Sequence, residues 1–151
     1  MNKVEVKIKF LENNIEKKLP FYATKGSAGM DLTACIKEDL ILKPLERCLV
    51  PTGLAIKLPS SNYGAFIFAR SGLATKKGIT LSNCVGVVDS DYTGEIKVGL
   101  INLSNEEYTL EKGERIAQMV IARVEQAQIE VVTELSETVR GEGGFGSTGK
   151  N

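Results

Sequence analysis

The chain has 151 residues, 42% of them hydrophobic, which is enough for one domain with its own core. Its 19 Lys and Arg balance 19 Asp and Glu, so no basic field argues for a nucleic-acid polymer, and no apolar run approaches the ~20 residues that span a bilayer. Histidine is absent, which excludes Ser-His and Cys-His nucleophiles and most zinc chemistry and leaves a carboxylate as the expected general base.

Period-two alternation dominates from the start. Val4, Val6, Ile8 and Phe10 share one face of a strand, with Glu5, Lys7 and Lys9 on the other. This opening is not a signal peptide. Leu40 to Leu42, Leu54 to Leu58, Tyr63 to Phe68, Ile96 to Leu103 and Ile129 to Thr133 are further strand candidates. Turn signals separate them: Lys43-Pro44, Pro51-Thr-Gly53, Pro59 to Asn62, Ser104-Asn105 and Glu111-Lys-Gly113. Ser71 to Lys77 reads as the one short helix. Arg115 to Gln126 is rich in helix formers, yet its first half is expected to be a strand. Many short strands at this spacing predict a sandwich or jelly roll. Cys35, Cys48 and Cys84 are odd in number and widely spaced, so they read as buried free thiols in a reducing compartment, with the cytoplasm the expected location.

Four segments carry candidate chemistry. In Ala28 to Ala34, Asp31 sits inside a small apolar run and could orient a magnesium-bound water or cap a turn. Arg70-Ser71-Gly72 falls where a strand gives way to the helix, and a helix start offers N–H groups to an anion. Ser71 as an N-cap is the plain alternative. In Asn83 to Gly94, Asp89 ends an apolar run, and desolvation there strengthens a carboxylate as a base. Gly86 allows close backbone approach, Tyr92 could pack flat against a sugar, and Asp91 marks a turn. An ordinary β-hairpin explains this segment about as well. Gln118 is an amide in an apolar strand, and needs partners if it is buried rather than turned outward.

The last segment is glycine-rich. Five glycines fall between Gly141 and Gly149, with Arg140 opening the run and Phe145 inside it. Such a stretch adds little to a core, but it presents backbone N–H groups to an anion, with a guanidinium fork and an aromatic face beside them. A linker is the alternative reading, although a linker needs neither Arg nor Phe. Residues 144–150 imitate the first seven positions of a P-loop, but Asn151 stands where that motif needs Ser or Thr, and no helix follows.

Taken together and in order, Ala28-Gly-Met-Asp-Leu, Arg70-Ser-Gly-Leu-Ala, Asn83 to Gly94, Arg115-Ile-Ala-Gln118 and Arg140 to Gly149 resemble the five motifs of the trimeric deoxyuridine triphosphatases (dUTPases) over nearly the whole chain. The related deoxycytidine triphosphate deaminases share the fold but lack such a tail.

The resemblance implies an all-β distorted jelly roll at 1–139 with a flexible glycine-rich lid at 140–151. It implies a homotrimer whose sites draw on all three chains, and magnesium-dependent hydrolysis of dUTP to dUMP and pyrophosphate. Asp89 then matches the general base. Asn83 and the backbone of Val87 and Val88 match the hairpin that reads uracil, Tyr92 the residue under the deoxyribose, and Lys97 a further substrate contact. Arg70, Ser71 and Gly72 match the phosphate turn supplied by another subunit. Gln118 matches a residue that orders phosphate and magnesium waters, and Asp31 one that meets magnesium through water. Arg140, Phe145, Ser147 and Thr148 match the lid, with Phe145 stacking on uracil and the others gripping the outer phosphates. The departures are Ala69, Cys84 and Val88, where relatives often carry Pro, a small residue or Pro, and Ile; none removes a reacting group. A dUTP-responsive regulator on the same fold is the alternative function, with deamination of dCTP a distant third.

Overall fold

The alternating segments pair into antiparallel sheets in the computed structural model, which describes residues 3–14 and 16–144. In chain order the elements are β1 Lys7–Phe10, β2 Met30–Thr33, β3 Leu40–Leu42, β4 Arg47–Lys57, β5 Tyr63–Ala69, α1 Ser71–Lys77, β6 Ile79–Leu81, β7 Gly86–Val88, β8 Glu95–Asn102, β9 Tyr108–Leu110 and β10 Arg115–Arg123. One four-stranded sheet runs β1-β4-β8-β6, the other runs β2-β10-β5-β7, and β3 pairs with β9. This is the expected distorted jelly roll with one short helix. No helix among the described residues is long and apolar enough to cross a membrane.

Strand β8 shows how sequence makes the core. Ile96, Val98, Leu100 and Asn102 point inward and are buried, while Glu95, Lys97 and Gly99 take the other face. The inward residues join Leu32, Val50, Ile56, Ile67, Ile116 and Met119 in one apolar cluster. Each fully buried aliphatic side chain contributes about 1.5–3 kcal/mol relative to an exposed one. Asn102 is the buried polar residue of the strand. Its amide donates to the Leu42 and Glu106 carbonyls at 2.9 and 2.8 Å, and its oxygen accepts from the Ser104 N–H and hydroxyl at 2.9 and 2.7 Å. Such full satisfaction makes a buried amide tolerable.

Helix α1 has the expected bounds. Ser71 is its first residue rather than its N-cap; Arg70 takes the cap position, and no side-chain oxygen caps the helix. Gly78 ends it at φ 69°, donating to the Ala74 carbonyl, and Lys76 and Lys77 favour the negative end. Strand β10 is strand throughout despite its helix formers, because β2 and β5 flank it on both sides.

Three expectations are corrected. Pro51-Thr-Gly53 does not end a strand: β4 runs through it, with a register shift against β8 between Pro51 and Ala55. The Thr52 hydroxyl donates to the Ile96 carbonyl at 2.6 Å and the Gly53 N–H to Glu95 Oε1 at 3.0 Å, so the irregularity is locked as a bulge. Ile129 to Thr133 forms no strand; Val131 is 94% exposed and pairs with no strand among the described residues. Cys84 is exposed rather than buried, while Cys35 and Cys48 are half-buried, and all three are free.

Candidate active site

The chain changes sheets just before its most polar segment. Strand β6 belongs to one sheet and β7 to the other, and Ser82 to Val85 carries the crossing. Cys84 turns the corner at φ 62°, a left-handed conformation uncommon for a residue with a side chain. Strand β7 then lies at a sheet edge, paired with β5 through Ile67↔Gly86, Phe66↔Val87 and Ala65↔Val88. Its other edge has no strand partner among the described residues. A free strand edge presents backbone donors and acceptors in a fixed row, which suits the reading of a planar ligand edge.

A cavity of about 380 Å³ opens beside that edge. Asn83, Val87, Val88, Asp89, Tyr92 and Lys97 all line it, so the structure brings six of the expected residues together. Its size is that of a small-ligand site. Close packing shapes it: a side-chain carbon on Gly86 would stand 3.1 Å from Ile67 Cβ, and one on Gly99 would stand 2.6 Å from Ser82 Oγ. The Tyr92 hydroxyl donates to the Glu95 carbonyl at 2.9 Å, which folds the ring over Gly94. Lys97 pairs with Glu95 at 3.7 Å. Asp89 is exposed, and Val87 is 63% exposed. Desolvation of Asp89 therefore does not come from the chain alone.

Asp31, Arg70 and Gln118 form a second group. Asp31 accepts from Arg70 Nε at 3.1 Å and from an Arg115 terminal nitrogen at 3.0 Å, one on each oxygen. The same Arg70 donates to the Arg115 carbonyl at 3.0 Å. Gln118 is half-buried and donates to the Ala69 carbonyl at 3.0 Å, so it does not point outward. Its oxygen also comes within 2.8 Å of where a side-chain carbon on Gly29 would sit. Ser71 and Gly72 are exposed at the start of α1. None of these residues lines the cavity beside β7.

Arg140 joins neither group. Its Nε donates to the Gly143 carbonyl at 2.9 Å, inside a local turn with Gly141 at φ 51°. Phe145, Ser147 and Thr148 lie outside the described residues.

Sequence reasoning missed Arg115 and Glu95. Arg115 stands in a quoted motif, but only the pairing of β2 with β10 shows that it meets Asp31. Glu95 follows Gly94 and reads as a strand-edge charge; nothing local shows that it joins the Gly53 N–H, Asn13 and Lys97.

Comparison with known proteins agrees over the whole length. A Neisseria meningitidis serogroup A deoxyuridine 5'-triphosphate nucleotidohydrolase is 53% identical over 146 residues, covering 97% of each chain. The Fusobacterium nucleatum protein of the same name is 55% identical over 150 residues, covering 99% of this chain and all of that one. The structure of Staphylococcus bacteriophage 80alpha dUTPase with dUPNHPP superposes with a TM-score of 0.86 at 26% identity, covering 97% of this chain and 99% of that one. The dUTPase family model matches residues 16–149, and the chain belongs to the dUTPase family.

Proposed function

We propose that this protein hydrolyses dUTP to dUMP and pyrophosphate. The observation that carries the reading is the cavity beside β7, where a free strand edge, a carboxylate and an aromatic ring converge. Uracil pairs with the backbone of Val87 and Val88 and with Asn83, and the deoxyribose packs on Tyr92. A group paired with the uracil O4 would face a donor in cytosine and leave a buried polar atom unpaired. Thymine's methyl has no room against the edge, and a ribose 2′-hydroxyl would meet the Tyr92 ring.

Asp89 takes a proton from a water as that water's oxygen bonds to the α-phosphorus. The bond from that phosphorus to the bridging oxygen breaks, and pyrophosphate leaves. General bases of this kind contribute about 100- to 10,000-fold. Lys97 is a further contact, and Arg70, Ser71, Gly72 and Gln118 hold the phosphates. Because these residues stand apart from the cavity in one chain, we place them in the site of a neighbouring copy, in a homotrimer. The exposed apolar residues Ile129, Val131 and Leu135 need cover that one chain does not supply, which supports the same assembly. Residues 140–151 close over the nucleotide as a lid, with Phe145 on the base and Arg140, Ser147 and Thr148 on the outer phosphates.

The described residues supply no cluster of direct ligands for a resident magnesium ion. No three Asp, Glu, Cys or His side chains converge on a metal position among the described residues, and both Asp31 oxygens already accept from guanidinium groups. We therefore place magnesium on the triphosphate, as part of the substrate.

Replacing Asp89 by Asn tests the base assignment. The variant should fold and bind a non-hydrolysable dUTP analogue normally while turnover falls by about 100- to 10,000-fold. Turnover within a few-fold of the parent would disprove the assignment.

A further inference from the structure

We infer that Asp31 is a positioning residue that, together with Arg115, holds the phosphate-directed Arg70. The inference rests on the proposed assignment of Arg70 to the phosphates.

Strand order sets the problem. Asp31 is on β2, Arg70 directly follows β5, and β10 lies between them. Two inter-strand spacings amount to about 10 Å, so the Arg70 side chain must cross a whole strand to reach Asp31. It does so in two steps, resting its terminal nitrogen on the Arg115 carbonyl at 3.0 Å and its Nε on Asp31 at 3.1 Å.

Arg115 is the first residue of β10, ahead of the pairing with β5 that begins at Ala117↔Ala69, so it has no ladder partner on the β5 side. The pairing of β10 with β2 slips between Arg115 and Ala117, where Arg115 opposes Thr33 and Ala117 opposes Leu32. A bulge of this kind frees backbone groups and re-aims a side chain, and bulges gather beside functional sites. The Arg115 carbonyl, ahead of the β5 ladder, accepts from Arg70 at 3.0 Å, and beside the slip against β2 the Arg115 side chain reaches the second oxygen of Asp31 at 3.0 Å.

Charge supports the same role. Two guanidinium groups placed side by side repel, and the intervening carboxylate offsets that repulsion before any triphosphate arrives. Asp31 is only 13% exposed and Arg70 26%, whereas Arg115 is 47% exposed, so water screens the Asp31–Arg70 link less than the Asp31–Arg115 one. A guanidinium has five N–H donors. The bonds to Asp31 and to the Arg115 carbonyl use two on Arg70, which leaves three in a fixed orientation for phosphate oxygens. Each Asp31 oxygen already accepts from one arginine, so its partners within the chain are guanidinium groups.

The test is a double-mutant cycle with a magnesium titration. Asp31→Asn should lower kcat/KM for dUTP by about 10- to 100-fold, the scale of a lost hydrogen bond to a charged group. In an Arg70→Gln background the same change should cost less than about 2-fold, since the residue it positions is gone. The magnesium concentration that gives half-maximal turnover should be the same in wild type and Asp31→Asn. Additive losses, or a several-fold rise in the magnesium requirement, would overturn the proposal. Should Asp31→Asn fail to fold, Arg115→Gln removes the second anchor. It should lower kcat/KM only while Arg70 is present, and an equal loss in both backgrounds overturns the proposal. If Arg70→Gln alone is fully active, the phosphate assignment fails and the proposal with it. If that variant is impaired but the losses add, the proposal alone fails.

Discussion

At the residue scale, chemistry was most legible where one side chain breaks a pattern. Asp89 stands out at the end of Val85 to Val88, and it does line the cavity. Its exposure was not legible, because burial depends on what covers β7 and not on the neighbouring valines. Arg115 and Glu95 were illegible for the opposite reason: their partners lie far away in sequence, at Asp31 and Gly53. Tyr108 belongs with them. Its hydroxyl donates to the Glu114 carboxylate, and burial, then that bond and the nearby negative charge, push the phenol well above its ordinary value. A phenol raised in the folded state contributes stability that is complete below the unfolded value of about 10 and is lost as pH rises through the folded one. Tyr108→Phe should therefore lower stability by about 1 kcal/mol near neutrality. Chemical denaturation at a series of pH values should show that difference constant up to pH about 10 and shrinking above it. A difference that persists unchanged into strong alkali would show that the phenol is not held neutral.

At the element scale, segments bounded by clear turn signals were legible, down to the three residues of β3, and several other short strands were not. The bounds of α1 were read directly, only the first half of the β10 segment was expected to be strand because its local pattern is partly helical, and β2, β6, β7 and β9 have three or four residues each. Pro51 to Gly53 shows why punctuation can mislead. Proline and glycine mark a break in regular hydrogen bonding, and a bulge is such a break as much as a turn is. Gly53 has φ 67°, and a side-chain carbon there would stand 2.6 Å from Asn14 Cβ and 2.8 Å from Cys35 Sγ. Gly53→Ala therefore adds backbone strain and a clash at a buried position and should cost about 2–4 kcal/mol, read as a lower midpoint in thermal or denaturant unfolding. An unchanged midpoint would mean that the bulge is soft and does not fix β4 against β8.

At the scale of the whole molecule, the fold follows from the chain but a complete site does not. The cavity beside β7, the Asp31–Arg70–Arg115 group and Arg140 are three separate pieces in one chain. Ordered motifs in the sequence announce the pieces, yet no local pattern states which copy supplies each one. We read the glycine-rich tail as a lid because the other motifs supply a base, a strand edge and a phosphate turn but no segment to close over a nucleotide. Deleting residues 140–151 should leave a folded trimer by light scattering, with kcat/KM reduced at least about 100-fold as base stacking and phosphate contacts are lost. An unimpaired truncation would return the tail to the role of linker. The central claim is hydrolysis of one nucleotide chosen by the strand edge at β7, and the most direct measurement is pyrophosphate release from dUTP, dCTP, dTTP and UTP in parallel. Release from dUTP at a kcat/KM far above that of the other three is the predicted result, and equal turnover of all four, or turnover of none, would contradict it.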